Sequence, residues 1–272
     1  MNFDNQVVLI TGASSGIGRC LAVDFAKRGT VVIGCGRSQE RLDRTLNEVR
    51  RASPSSVMIA CDVGNRQEVQ SMVAKVLADF GKFDILINNA GIGMRKPFAE
   101  TSVDIIEEIM RTNYLGMVYC THAVLPTMIA RGSGHIVNIS SVAGIFGTLN
   151  LSGYCASKFA MNGFSESLYY ELKPLGIHVS VICPGPVRTD FNRAFADIKP
   201  KSPGFLMLAP ETVSRLVLRA IDAKKFEAIM PWSVALICRA ARVAPGLFRA
   251  VALRAFRSYV IARRRTASKE DI

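Results

Sequence analysis

Tyr154 and Lys158 stand four residues apart in the run Tyr154-Cys-Ala-Ser-Lys158. On a helix that spacing puts both side chains on one face, about 6 Å apart along the axis. A free phenol has a pKa of ~10 and is a weak acid at neutral pH. A nearby ammonium favours the phenolate and brings proton exchange with a carbonyl or alcohol within reach. Ser141 lies thirteen residues upstream of Tyr154, at the end of the apolar run His135-Ile-Val-Asn-Ile-Ser-Ser141, and offers a hydroxyl to hold a substrate oxygen. The Tyr-x3-Lys spacing recurs at Tyr169 and Lys173, but the residue thirteen before Tyr169 is Ala156 and no strand-like run ends there. That second pair reads as ordinary helix surface.

A phosphate site precedes this group. Gln6-Val-Val-Leu-Ile10 is a short apolar strand, Thr11-Gly12-Ala-Ser-Ser-Gly16-Ile-Gly18 is a glycine-rich turn, and Arg19 to Arg28 has helical composition. In a strand–turn–helix unit the backbone N–H groups and the helix N-terminus face a pyrophosphate, and the glycines permit its approach. The spacing is G-x3-G-x-G rather than G-x-G-x-x-G.

These motifs together resemble the short-chain dehydrogenase/reductase family, from about residue 5 to about residue 231. Thr11-Gly12-x3-Gly16-x-Gly18 matches the family's cofactor turn, which implies cofactor contacts at Gly12, Ser14, Ser15, Gly16, Ile17 and Gly18. Cys61-Asp62-Val63 ends the third strand, where the family's Asp meets adenine. Asn88-Asn89-Ala90-Gly91 matches a further cofactor-lining motif, with Asn89, Ala90 and Gly91 as contacts. Asn113 matches a helix Asn that holds a relay water, and Ser141, Tyr154 and Lys158 match the catalytic residues. Pro184-Gly185-Pro-Val187-Arg-Thr189 matches the loop that meets the nicotinamide amide, giving Pro184, Gly185, Val187 and Thr189. The resemblance implies that Ser141 positions the substrate oxygen, Tyr154 exchanges its proton, Lys158 holds the ribose and lowers the Tyr pKa, and Asn113 links Lys158 to water. It also implies a homodimer or homotetramer built on the helices around Asn113 and Tyr154.

The second strand, Thr30-Val-Val-Ile-Gly-Cys-Gly-Arg37, bears on which nicotinamide is used. NAD-specific sites place a carboxylate at its end to accept from the ribose hydroxyls. Here that position is Gly36, eighteen residues after Gly18, and Arg37 follows. No acid stands there to repel a 2′-phosphate, and a guanidinium fork is at hand to bind one. The pair reads as NADP(H), with Ser14 as a second phosphate contact.

The chain has 272 residues, 49% of them apolar, which fits one α/β domain around a buried parallel sheet. Strand-like runs at Val57–Ala60, Ile85–Asn88, Ile136–Ser140, Val179–Cys183 and Glu227–Met230 follow the first two and alternate with helical stretches. The expectation is a Rossmann-type, doubly wound parallel sheet of seven strands. Residues 1–231 form the catalytic domain and 232–272 a basic amphipathic extension. Asp190–Pro210, with Pro200, Pro203 and Gly204 among Phe191, Phe195, Phe205, Leu206 and Leu208, is expected to be a substrate lid.

Seven cysteines are scattered without a C-x-x-C, and three histidines stand isolated, so no metal site is expected. The first strand begins almost at the N-terminus, from which a cytoplasmic location is expected. The net charge is +12, and from Lys224 onward eleven Lys or Arg face three acids. The uncharged stretch Ala228 to Cys238 is eleven residues long, short of the roughly 20 a membrane span needs. Leu247, Phe248, Val251, Ala252, Ala255, Phe256 and Tyr259 share one helical face, Arg254 and Arg257 lie opposite, and Arg263-Arg-Arg265 follows. The extension therefore reads as a membrane-surface or partner-docking element, against the alternative that its face packs on the protein's own core. The whole reading is an NADP(H)-dependent oxidoreductase interconverting a small apolar alcohol, lipid-like or steroid-like, and its ketone or aldehyde. Its rivals are a silent NADP(H)-sensing protein on the same fold and nucleic-acid binding through the tail. The full Asn-Ser-Tyr-Lys set opposes the first. No recognised nucleic-acid motif supports the second, so no nucleic-acid partner is expected.

Overall fold

The apolar runs pair into a single parallel sheet in the computed structural model, which describes residues 3–189, 191 and 207–270. The strands are β1 (Val7–Thr11), β2 (Val31–Gly36), β3 (Val57–Ala60), β4 (Ile85–Asn88), β5 (Gly134–Ile139), β6 (Ile177–Pro184) and β7 (Glu227–Met230). Their spatial order is β3-β2-β1-β4-β5-β6-β7. The seven-stranded, doubly wound expectation holds. β5 and β6 start earlier than their apolar runs suggest, because Gly134 pairs with Ile177 and His135 with His178. The ladder, not hydrophobicity, sets those ends.

Side chains alternate across a strand, so each strand feeds two cores. Val8 and Ile10 of β1 face a layer built with Leu21, Phe25 and Leu42 from α1 (Gly16–Ala26) and α2 (Gln39–Val49), joined by Val217 and Ile221 of α7 (Pro210–Asp222). Val7 and Leu9 face the opposite layer, with Val69 and Val73 of α3 (Arg66–Phe80), Val124 and Met128 of α5 (Gly116–Arg131), and Leu168 and Leu172 of α6 (Ser152–Leu172). α4 (Val103–Met110) runs into α5 through a π-helical turn at Arg111–Leu115.

β1 lies between β2 and β4, so the winding direction reverses there. In open α/β sheets a ligand crevice forms outside the carboxyl ends of the strands at such a switch point. The glycine turn leaves β1 at that point.

Most of the expected lid, including Phe195, Pro200, Pro203, Gly204, Phe205 and Leu206, lies outside the described residues. Its two ends are tied together. Arg188 N donates to Leu208 O and Leu208 N to Pro186 O, both at 2.8 Å. After β7 come α8 (Trp232–Val243) and α9 (Pro245–Glu270), separated at Ala244. Among the described residues, no helix is long and apolar enough to cross a membrane.

Candidate active site

The glycine turn is shaped by close backbone approach. Gly12 has φ +67°, and a Cβ there would lie 2.9 Å from Ala90 Cα. A Cβ on Gly18 would lie 2.2 Å from Gly12 O. The turn is thus pressed against the end of β4. Thr11 clamps the two together. Its hydroxyl accepts from Asn89 N at 2.9 Å and Ala90 N at 3.0 Å, while Asn89 Nδ2 donates to Thr11 O at 2.9 Å. Asn89 therefore holds the turn through its side chain.

Ser14, Gly36, Arg37 and Arg41 line the crevice, and Gly36 lies beside Ser14. A Cβ on Gly36 would meet Ser14 Oγ at 3.4 Å, an ordinary contact, so the missing carboxylate is not a steric necessity. Arg37 lies 3.8 Å from Glu108, with both side chains more than half exposed. Such a pair is weak and leaves the guanidinium available. Asp62 Oδ1 accepts from Gly64 N at 2.9 Å, which fixes the bend after β3.

The reacting group forms where β5 and α6 meet. Ser141 caps the short 3-10 turn Val142–Gly144, its Oγ accepting from Ala143 N at 3.1 Å. The Ser141 and Tyr154 hydroxyls are hydrogen-bonded to each other. Burial pushes the Tyr154 phenol up to about 12, and this bond offsets part of the rise. Lys158 is 4% exposed. Its ammonium donates to Ile139 O at 2.9 Å and lies 3.3 Å from Met161 Sδ. Burial lowers the Lys158 pKa to about 8. Nζ stands 5.7 Å from the Tyr154 ring centroid. The expected lowering of the Tyr154 pKa by Lys158 is not seen, because desolvation by burial dominates.

Asn113 sits in the π-helical turn, 1% exposed. Its Oδ1 accepts from Ile92 N at 2.8 Å, and its Nδ2 donates to Ile92 O at 2.9 Å and to Ser157 Oγ at 3.0 Å. A Cβ on Gly91 would be 3.2 Å from Asn113 Oδ1 and 3.9 Å from Lys158 Nζ. Asn113 and Lys158 therefore flank the same glycine. The first Asn of the β4 motif has another task. Asn88 Nδ2 donates to Asn138 Oδ1 at 2.8 Å, and Asn138 Nδ2 to Ser165 Oγ at 2.7 Å, which links β4 through β5 to α6.

Most of these pieces border one cleft of about 630 Å³. It is lined by Gly12, Ser14, Ser15, Gly16, Ile17, Arg37, Asp62, Val63, Asn89, Ala90, Gly91, Ser141, Tyr154, Lys158, Pro184, Gly185, Val187 and Thr189. Two expected residues are not in the lining. Gly18 is packed under Gly12, and Asn113 lies behind Gly91 and Ile92. Sequence reading missed Arg41, Arg95, Phe146, Thr148, Leu151 and Met207, which also line the cleft. Arg41 lies in the first turn of α2, just after Arg37 and the Ser38 cap. The others carried no signal, being ordinary loop residues brought in by the fold. The ring of Phe191 stands 5.8 Å from that of Tyr154, so the start of the expected lid reaches the reacting group. No group of metal-ligating side chains occurs among the described residues.

A family model described as short chain dehydrogenase matches residues 6–199, and the chain belongs to that family. It is 37% identical over 241 residues to a zebrafish (Danio rerio) protein named dehydrogenase/reductase SDR family member 7B, covering 84% of this chain and 78% of that one. It is 38% identical over 235 residues to mouse (Mus musculus) epidermal retinol dehydrogenase 2, covering 85% and 75%. A short chain dehydrogenase/reductase from Burkholderia phymatum, solved in complex with NAD, superposes with a TM-score of 0.82 at 27% identity, over 91% of this chain and 96% of that one. The chain is accordingly a nicotinamide-dependent oxidoreductase that acts on alcohol or carbonyl groups.

Proposed function

We propose that this enzyme interconverts an apolar alcohol and its ketone or aldehyde with NADP(H). The observation that carries the proposal is one cleft lined by Ser141, Tyr154 and Lys158 together with the glycine turn and Arg37. The glycine turn opening α1 fits a pyrophosphate, because glycines let it approach the backbone N–H groups at the helix N-terminus. A bound nicotinamide supplies or accepts the hydride. Ser141 holds the substrate oxygen beside Tyr154. The buried phenol is protonated at neutral pH and gives its proton to that oxygen in reduction. Lys158 holds the ribose, and Asn113 braces the wall behind it.

Gly36 and Arg37 support NADP(H) over NAD(H). The Burkholderia relative was solved with NAD, so the choice rests on this chain's own residues. Phe146, Leu151, Phe191 and Met207 in the lining support an apolar substrate, as does the name of the mouse retinol dehydrogenase. Residues 1–231 are proposed as the catalytic unit and 232–272 as its extension. A cytoplasmic homo-oligomer is proposed around α4, α5 and α6, where Val103, Leu115, Ile129 and Phe159 are exposed. The test is a panel of medium-chain ketones and alcohols assayed with NADPH, NADH and their oxidised forms. Turnover of apolar ketones with NADPH well above NADH supports the proposal. Absence of turnover in a protein that binds NADPH overturns the catalytic reading in favour of a silent sensor.

A further inference from the structure

α8 and α9 leave a large apolar surface open. One side of α8 is anchored, with Val234, Cys238 and Ala241 buried and Arg242 forking onto Glu227 at 2.7 and 2.5 Å. One edge of α9 is anchored as well. The Phe248 ring packs on Phe146 with centroids 5.1 Å apart, and Ala252 and Phe256 follow at four-residue intervals, half-buried. Away from these edges, Trp232, Leu236, Val243, Leu247, Val251 and Leu253 are each more than half exposed, Val243 at 85%. Trp232/Leu236 and Leu247/Val251 are i, i+4 pairs, so each pair forms one ridge on its helix.

The charges point to what covers this surface. Every charged residue from Ala228 to Ser268 is an arginine, and there are eight. Only Arg242 has a carboxylate within ion-pair distance among the described residues. A second copy of the same face would set arginines against arginines. Exposed Trp, Leu and Val ridges interleaved with arginines suit the boundary between acyl chains and anionic headgroups.

We infer that the α8–α9 face docks on an anionic lipid surface and holds the mouth of the cleft against it. The second half of this statement rests on the proposed function, in which Phe146 is part of the apolar lining that receives the substrate. Phe146 lines the cleft and Phe248 packs on it, so the lipid-facing helix also lies against the cleft wall. An apolar substrate dissolved in the bilayer then has a short path into the site.

Trp232 is the single tryptophan of the chain, and its emission reports directly on this face. The full-length protein is mixed with vesicles of phosphatidylglycerol and phosphatidylcholine, or of phosphatidylcholine alone. A blue shift and co-sedimentation with the anionic vesicles, weakened by salt, is the expected result, with quenching by brominated acyl chains. The triple variant Leu236→Ser, Leu247→Ser, Val251→Ser changes only exposed positions and is checked by NADPH binding. Its vesicle association should fall about tenfold or more. Wild-type protein that stays in the supernatant at low salt overturns the inference. So does a triple variant that binds vesicles like wild type, or a Trp232 shift that tracks protein concentration without lipid, which would mark a second copy as the occupant. Vesicle binding by a protein that reduces no ketone leaves the docking intact and defeats only the catalytic reading.

Discussion

The Lys173 ammonium lies 2.5 Å from the Tyr169 hydroxyl and 4.8 Å from its ring centroid, whereas Lys158 stands 5.7 Å from the ring centroid of Tyr154. The tighter pair is on the helix surface, and neither of its members lines the cleft. Lys158 spends its ammonium on the Ile139 carbonyl and on the space beside Gly91. What separates the two pairs is therefore location and a third group, since only Tyr154 has Ser141.

Tyr154→Phe keeps the ring and removes the exchangeable proton. Positioned acid–base groups contribute about 10²–10⁴-fold, so turnover should drop by that factor while NADPH still binds. Tyr169→Phe should leave turnover near wild type. Steady-state rates and NADPH titration of both variants check this. The opposite pattern would assign the chemistry to the wrong tyrosine.

Cofactor choice should turn on two adjacent residues. A hydrogen bond to a charged group is worth about 1.5–3 kcal/mol, so Arg37→Ala should weaken NADPH by roughly 10- to 150-fold and leave NADH almost unchanged. Gly36→Asp has room for its Cβ beside Ser14 and should shift preference toward NADH. Comparable kcat/KM values for both cofactors in the wild type would reject the assignment.

The two close-packed glycines should differ from Gly36 in tolerance. In Gly18→Ala the new methyl meets the Gly12 carbonyl at 2.2 Å, and backbone cannot step aside. Overpacking of this kind costs about 1–3 kcal/mol. The melting temperature should fall and NADPH affinity with it. Gly36→Ala, with its nearest contact at 3.4 Å, should melt like wild type.

The sheet and most of the cleft were legible because they depend on local pattern. Apolar runs of strand length name strands, and a glycine turn between strand and helix names a phosphate site. Partners brought together by the fold were not legible. Nothing in Arg111-Thr-Asn-Tyr-Leu115 announces a π-helical turn, which buries Asn113 against Ile92 and Ser157. Thr11 was visible as a motif letter, but its clamp on Asn89 and Ala90 spans 78 and 79 residues. The apolar stripe of the tail was real, yet it divides. Phe248 and Phe256 turn to the body while Leu247 and Val251 face outward, and periodicity alone cannot tell an inner edge from an outer one.

His135 gives an acid-stability prediction. Its ring is buried, with Nε2 2.8 Å from Ser180 Oγ. Burial, aided by repulsion from His178 and Lys224, lowers its pKa from 6.5 to about 3. Between those values the unfolded chain binds a proton that the folded chain refuses, so stability is lost as pH falls through that window. A tenfold difference in proton affinity between the two states is worth about 1.4 kcal/mol. The slope of melting temperature against pH between about 6 and 4 should be shallower in His135→Asn than in wild type. Equal slopes would mean that His135 is not what titrates.

Reduction and oxidation should respond differently to pH. Burial holds Tyr154 at about 12, so the phenol keeps its proton throughout the neutral range. Reduction consumes that proton and should vary little between about pH 6 and 8. Oxidation of the alcohol needs the phenolate, whose fraction grows about tenfold per pH unit below the pKa, so its kcat/KM should climb with pH. Lys158, depressed to about 8, loses its charge as pH rises further, which should flatten the climb above that point. Pre-steady-state rates in both directions, measured over the same buffers, decide the matter. An oxidation rate that is independent of pH from about 6 to 9 would mean that Tyr154 is not the proton acceptor.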